Sequence, residues 1–371
     1  MKVLAAEIVR LELDLVRPLG TSGGTHDRRP VVLVHLETDQ GAGWGECAAL
    51  VAPHYSCEYA DGAEHVLREW LLPPLLRPDA VFGATSDALV ALGGVRGHPM
   101  AVAAVEMALL DAELSSAGRS LASLLGATRR SVRASAAIGV GGPDAVVAGV
   151  AVARSEGFNQ VKCKVVPGRS LEAVRAARAS FPDVALAVDA NGAYRRSDPA
   201  AWRELRDLDA CGLVAIEQPF PADDLVAHAE LRRQLVTPVL LDESITGLGA
   251  LDAAIALRAC AGISLKAARV GGLLAARRLH DRCVESGLHV FAGGMLEAGL
   301  GRACALAVAA LPGVDLGGDL GPSSRYFDPD ITAPHVLLGD EVAVPDGPGI
   351  GARLRAEALR AAIRTTSLRP G

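Results

Sequence analysis

The chain has 371 residues, half of them hydrophobic, with a net charge of −6. That length exceeds one ordinary domain and fits either a large barrel with an attached domain or two domains. The ordinary charged fraction and mild acidity leave no basic footprint for nucleic acid or an anionic membrane.

The N-terminus, "MKVLAAEIVRLELDLV", alternates apolar and charged residues too early for a signal peptide and predicts a strand. "EIVRLELDLV", "VVLVHLET" and "AGWGECAAL" share that period of two, with a turn at Asp39-Gln40-Gly41, and predict an antiparallel meander. "AVAAVEMALLDAELSSAG" then predicts a helix ending at Gly118. These make a small α+β unit over 1–130. Two polar or glycine-rich stretches, "GTSGGTHD" (20–27) and "VAPHYSCEYADG" (51–62), are expected as loops able to close over a site.

From about residue 131 short apolar runs alternate with alanine-rich amphipathic stretches. The runs end at Val140, Lys164, Asp189, Glu217, Asp242, Lys266, Gly293 and Asp319, 24 to 28 residues apart. That spacing holds a strand, a helix and two short loops, and eight such ends define an α/β protein of the (β/α)-barrel type over 131–335. The apolar run "ACALAVAALPGV" is well short of the roughly 18 residues of a membrane span. The seven cysteines, at 47, 57, 163, 211, 260, 283 and 304, form no C-x-x-C pair and are expected as reduced thiols of a cytoplasmic protein.

Five consecutive strand ends carry charge: Lys164, Asp189, Glu217, Asp242 and Lys266. Barrel enzymes place their chemistry at the C-terminal ends of the strands. Alternate residues share a strand face, so in "VKCKVV" Lys162 and Lys164 point into the barrel and Cys163 toward the helices. A lone Asp at a strand end is more often a helix cap, and a lone Lys a solvated loop residue; the uninterrupted run favours a site. Three carboxylates on neighbouring strands need a compensating cation, and oxygen ligands without His or Cys select magnesium over zinc. Lys164 and Lys266 then flank the metal from opposite sides. Burial and the ion's charge are expected to lower their pKa values, so that either could act as a neutral base. The assembly suits abstraction of a proton next to a carboxylate, with the metal stabilising the enediolate.

"VKCKV", "AVDANGAY", "AIEQPF", "LLDESI", "SLKAARVGG" and "FAGGMLEAGLGRA", in this order, resemble the muconate-cycloisomerase-like branch of the enolase superfamily, a superfamily known for Lys or His bases working with magnesium. "YSCEYADGAEHVL", "GGMLEAGLGRA" and "GDLGPSSRYFDPDIT" are similar to the o-succinylbenzoate synthase / N-succinylamino acid racemase family. The resemblance covers almost the whole chain. It implies a modified (β/α)8 barrel of (β/α)7β form, an N-terminal α+β capping domain, and a C-terminal segment, 336–371, that returns to the capping domain. It makes Asp189, Glu217 and Asp242 ligands of Mg2+, for which Mn2+ can substitute, and sets Glu243 on the other face of its strand. Lys164 becomes the base on one face, Lys266 the second acid/base or a cationic stabiliser on the other, and Lys162 a support that lowers the pKa of Lys164. Asn191, Arg269, Gly294 and Met295 are expected around the substrate, with Thr21 and Tyr55 supplied by the lid loops. Glu297 is expected either to hydrogen-bond near Lys266 or to cap the following helix.

Ser264 and Ala267 stand where relatives often have Asn and Pro, Ala137 where several have Ser, and Cys163 where Leu or Ile is commoner. None removes a catalytic group. The first expectation is Mg-dependent syn dehydration of 2-succinyl-6-hydroxy-2,4-cyclohexadiene-1-carboxylate to o-succinylbenzoate, a step of menaquinone biosynthesis; the second is N-succinylamino acid racemisation, and one protein could do both. Dipeptide epimerisation, cycloisomerisation and an inert barrel scaffold are more distant. A zinc hydrolase would need an H-x-H strand that the nine histidines do not supply, and "RVGG" lacks the context of a dinucleotide loop. The resemblance also implies a homo-oligomer with a small carboxylate substrate.

Overall fold

The computed structural model describes residues 1–21 and 24–370, and the side chains of these except 18–21 and 24–26. Three long alternating strands, β1 (Val3–Thr21), β2 (Gly24–Thr38) and β3 (Gly41–Cys47), form an antiparallel meander. Among its described residues, the glycine-rich stretch at 20–27 is paired strand rather than the expected loop: Leu19 pairs with His26, Gly20 with Thr25 and Thr21 with Gly24. Once two strands are in register, the ladder's hydrogen bonds carry residues of low strand propensity.

The helix Pro99–Ser116 lies across this sheet. It has no polar side because it is covered on both, and most of its residues are buried. Contact with β3 is direct: a Cβ at Gly43 or Gly45 would overlap the carbonyl oxygens of Ala108 and Ala104.

After the short strand β4 (Ser131–Arg133), eight parallel strands follow one another around the barrel: β5 (Ser135–Ile138), β6 (Gln160–Lys164), β7 (Ala185–Asp189), β8 (Ala215–Glu217), β9 (Val239–Leu241), β10 (Gly262–Leu265), β11 (His289–Ala292) and β12 (Val314–Gly318). A parallel bridge between Ala134 and Gly318 joins the two ends. Helices at 143–155, 171–180, 199–209, 225–232, 248–257, 273–285 and 299–309 fill the crossovers. The 3-10 turn Ser323–Arg325 follows β12. This is the (β/α)7β barrel with an N-terminal α+β capping domain.

Alternation sorts each strand. Cys163, Val188, Ile216, Leu241 and Leu265 pack outward against the helices, whereas Ala187, Ala215, Leu240 and Phe291 form a separate interior cluster. Beyond the barrel, β13 (Leu337–Leu338) and β14 (Glu341–Ala343) pair back toward β4, and β15 (Arg364–Leu368) joins the outer edge of β1. Among the described residues no helix is long and apolar enough to cross a membrane.

Candidate active site

A cavity of about 530 Å³ opens at the C-terminal ends of the barrel strands, beneath the capping domain. Lys162, Lys164, Asn191 and Lys266 line it from the barrel; Arg29, His54 and Tyr55 line it from above.

Register brings the charges together. Lys164 pairs with Asp189 across β6 and β7, and Asp189 with Glu217 across β7 and β8. Lys164 Nζ donates to Asp189 Oδ2 at 2.6 Å and to Asn191 Oδ1 at 2.7 Å. One layer deeper, Lys162 Nζ donates to Glu217 Oε2 at 2.7 Å, lies 3.4 Å from Asp189 Oδ2, and pairs with Asp319. Opposite, Lys266 Nζ donates to Asp242 Oδ2 at 2.8 Å and to the Tyr55 hydroxyl at 3.2 Å. Arg269 also pairs with Asp242, donates to the Tyr55 hydroxyl at 2.8 Å, and is fixed by the carbonyls of Ile245 and Ser264.

These contacts decide the protonation states. Burial would lower Lys162, but Asp319, Glu217 and Asp189 outweigh it and hold the ammonium above the usual lysine range. Lys266 is likewise raised, with burial overcome by Tyr55, Glu217, Glu243 and Asp189. For Lys266 this reverses the expected lowering, because the neighbouring negative groups stabilise its charge. Asp189 is held well below the carboxylate range: burial, which opposes this, is overcome by Lys164 and Lys162. Glu217 is pushed up, by burial and then by Asp189.

Asp189, Glu217 and Asp242 occupy three successive strand ends, and Glu217 Oε1 is buried without a hydrogen-bond partner. Such an all-oxygen set with an unserved acceptor suits a hard divalent cation. In these rotamers each acid is turned to a lysine. Among the described residues no three acidic, imidazole or thiol side chains form a ready cage.

Gly294 and Met295 line the cavity. Glu297 does neither thing expected of it: it lies 3.1 Å from Arg302 Nη2, while Glu46 accepts from the N–H groups of Ala298 and Gly301 at 2.8 Å and so caps the helix. Glu243, expected to face away, lines the cavity and accepts from Asn191 Nδ2 at 2.9 Å. The strand ends at Leu241, so alternation no longer governs residue 243. The Thr21 side chain lies outside the described residues. Ala137 lines the cavity; Ser264 is buried with an unpartnered Oγ, and Ala267 borders a separate pocket of about 30 Å³.

Sequence reasoning missed Asp319 as a partner of Lys162, although it ends the eighth apolar run. It also missed Gln218, whose Oε1 accepts from the Asp242 N–H at 2.8 Å and so fixes the backbone at that acid. Arg29 gave no local signal.

Residues 5–126 match the N-terminal domain family of mandelate racemase / muconate lactonizing enzyme, and residues 145–358 match the enolase C-terminal domain-like family. The chain is 44% identical to an N-succinylamino acid racemase from an Amycolatopsis species, over 95% of both proteins. It is 35% identical to an o-succinylbenzoate synthase from Bacillus subtilis, covering 95% of this chain and 94% of that protein. The crystal structure of an enolase-superfamily member from Listeria innocua superposes over 100% of both chains with a TM-score of 0.94 at 34% identity.

Proposed function

We propose a reaction for this chain, which belongs to the enolase superfamily and, within it, to the o-succinylbenzoate synthase / N-succinylamino acid racemase family. It dehydrates 2-succinyl-6-hydroxy-2,4-cyclohexadiene-1-carboxylate to o-succinylbenzoate. The observation that carries this is the placement of Lys164 at the end of β6 and Lys266 just after β10, diametrically across one cavity, with a row of carboxylates between them.

Asp189, Glu217 and Asp242 would hold Mg2+, which Mn2+ can replace. A divalent ion there supplies positive charge against the substrate carboxylate while the adjacent carbon loses its proton. Lys164 removes that proton as a neutral amine. Lys162, one layer deeper, is held by its three acids. Asn191 Oδ1 holds the Lys164 Nζ in place. The resulting Lys164 ammonium then donates its proton to the departing hydroxyl on the same face, so water leaves and the ring becomes aromatic. Lys266 remains a cation facing the developing negative charge. Residues 1–130 act as the cap, 131–335 carry the chemistry, and 336–371 tie the two together. The setting is menaquinone biosynthesis in the cytoplasm, by a homo-oligomer.

A second reading is N-succinylamino acid racemisation, favoured by the 44% identity to the Amycolatopsis racemase. Lys164 and Lys266 would exchange protons with opposite faces of the same carbon. The deciding experiment measures conversion of the cyclohexadiene carboxylate by purified protein with magnesium and after chelation. Rapid metal-dependent turnover supports the synthase; none with metal bound, alongside racemisation of N-succinylamino acids, replaces it with the racemase.

A further inference from the structure

Arg29 is 1% exposed, the first residue of "RPVV" in β2, and it enters the cavity from the capping side. Its Nε donates to the carbonyl of Leu296 at 2.7 Å, and its Nη1 to those of Pro30 and Ala49 at 2.8 and 2.9 Å. Its Nη2 is buried and has no partner.

The charge is as incompletely served as the nitrogen. Among the described residues no carboxylate forms an ion pair with Arg29. The nearby acids are committed elsewhere: Glu46 to the N–H groups of Ala298 and Gly301, and Glu297 to Arg302. Carbonyl oxygens orient a guanidinium without neutralising it. A buried cation with a free N–H is costly unless an anion completes it, and the guanidinium fork matches a carboxylate. Arg28, the neighbouring cation, is largely exposed and paired with Asp14 at 2.6 Å, so it is not comparable.

We infer that Arg29 anchors the second carboxylate of a dicarboxylic substrate, the end remote from the lysines. The inference rests on the proposed reaction, since both readings of it use a succinyl group. The substrate's first carboxylate then lies among the groups on the barrel floor and its succinyl carboxylate meets Nη2 under the cap. A cavity of about 530 Å³ accommodates a ligand held at both ends. Because Arg29 also grips Leu296, next to the cavity-lining Met295, an occupied subsite draws the cap and the turn after β11 onto the same ligand.

The test is calorimetric binding of o-succinylbenzoate and of 2-butyrylbenzoate, in which a methyl group replaces the distal carboxyl, to the magnesium-loaded protein. Wild type is expected to prefer o-succinylbenzoate by about tenfold or more. Arg29→Met should reduce that preference to within about twofold by weakening o-succinylbenzoate alone, and Arg29→Lys, which keeps a cation, should retain part of it. Equal affinity of wild type for the two ligands, or equal weakening of both by the substitutions, overturns the anchor and leaves Arg29 as a brace for Leu296. If Arg29→Met does not fold, Arg29→Lys decides: an unchanged preference overturns the inference and a reduced one supports it. Discrimination without turnover of the cyclohexadiene carboxylate would sink the proposed reaction and leave the anchor standing.

Discussion

Lys164 and Asp189 sit level with each other on adjacent strands, and the lysine Nζ donates to Asp189 Oδ2 at 2.6 Å. The proposed base is thus held against one member of the carboxylate row. Lys164→Ala should lower dehydration and racemisation alike by about 10³-fold or more, measured as kcat with magnesium present. Lys266→Arg keeps a cation opposite, so it should damage racemisation far more than dehydration. Equal losses in both reactions would contradict the separate role given to Lys266.

Tyr55, from the N-terminal domain, touches the barrel charges: its hydroxyl accepts from Lys266 at 3.2 Å and from Arg269 at 2.8 Å. Tyr55→Phe removes that link and keeps the ring over Lys266. The expected result is a fall in kcat/KM of about tenfold, as for loss of a hydrogen bond to a charged group, with the melting temperature nearly unchanged.

Glu217→Gln leaves the side chain's shape intact and removes a charge facing both Lys162 and the unserved side of the carboxylate row. It should weaken magnesium binding by about tenfold or more in calorimetry. Chelation of the wild type should abolish turnover, with Mg2+ or Mn2+ restoring it.

Glu106 of the capping helix accepts from the N–H groups of Leu273 and Leu274, at the start of a barrel helix, and burial pushes its carboxyl up to about 7 against the pull of those donors. Between about pH 4.5 and 7 the folded protein therefore holds a proton that the unfolded chain has released. Stability from this group is complete below pH 4.5, falls as pH rises to 7, and is level above it. Denaturant melts across this range should show Glu106→Gln gaining on wild type by at most about 3 kcal/mol as pH rises. A constant difference would contradict the raised carboxyl.

Gly45 has no room for a side chain, because a Cβ would overlap the Ala104 carbonyl of the helix on which β3 lies. Gly45→Ala should cost about 3 kcal/mol in chemical unfolding, the upper range for overpacking.

The barrel and its charged rim were legible in the sequence because both rest on local periodicity. Strand alternation sends Lys162 and Lys164 inward and Cys163 outward, and the regular spacing of apolar runs puts Asp189 and Glu217 at successive strand ends, where the structure places them. The helix Pro99–Ser116 was legible for another local reason, a run of helix-favouring residues stopped by Gly118. Alternation fails as soon as a strand ends. Glu243 lies beyond β9 and turns into the cavity, and Asp319 lies beyond β12 and reaches Lys162. At the β1–β2 hairpin, pairing across the ladder overrode the glycine-rich composition that reads as a loop.

What the sequence determined by itself was therefore the order of the elements, the inward faces and the charges at the barrel mouth, since each depends on neighbours a few residues away. Tertiary structure alone decided how those charges are spent. Arg29 meets Leu296 and Tyr55 meets Lys266 across more than two hundred residues of chain. Lys162 and Lys266 are held above the usual lysine range against burial, Lys162 by acids from other strands and Lys266 first by Tyr55 and then by such acids, a balance between lost hydration and nearby charge that packing sets.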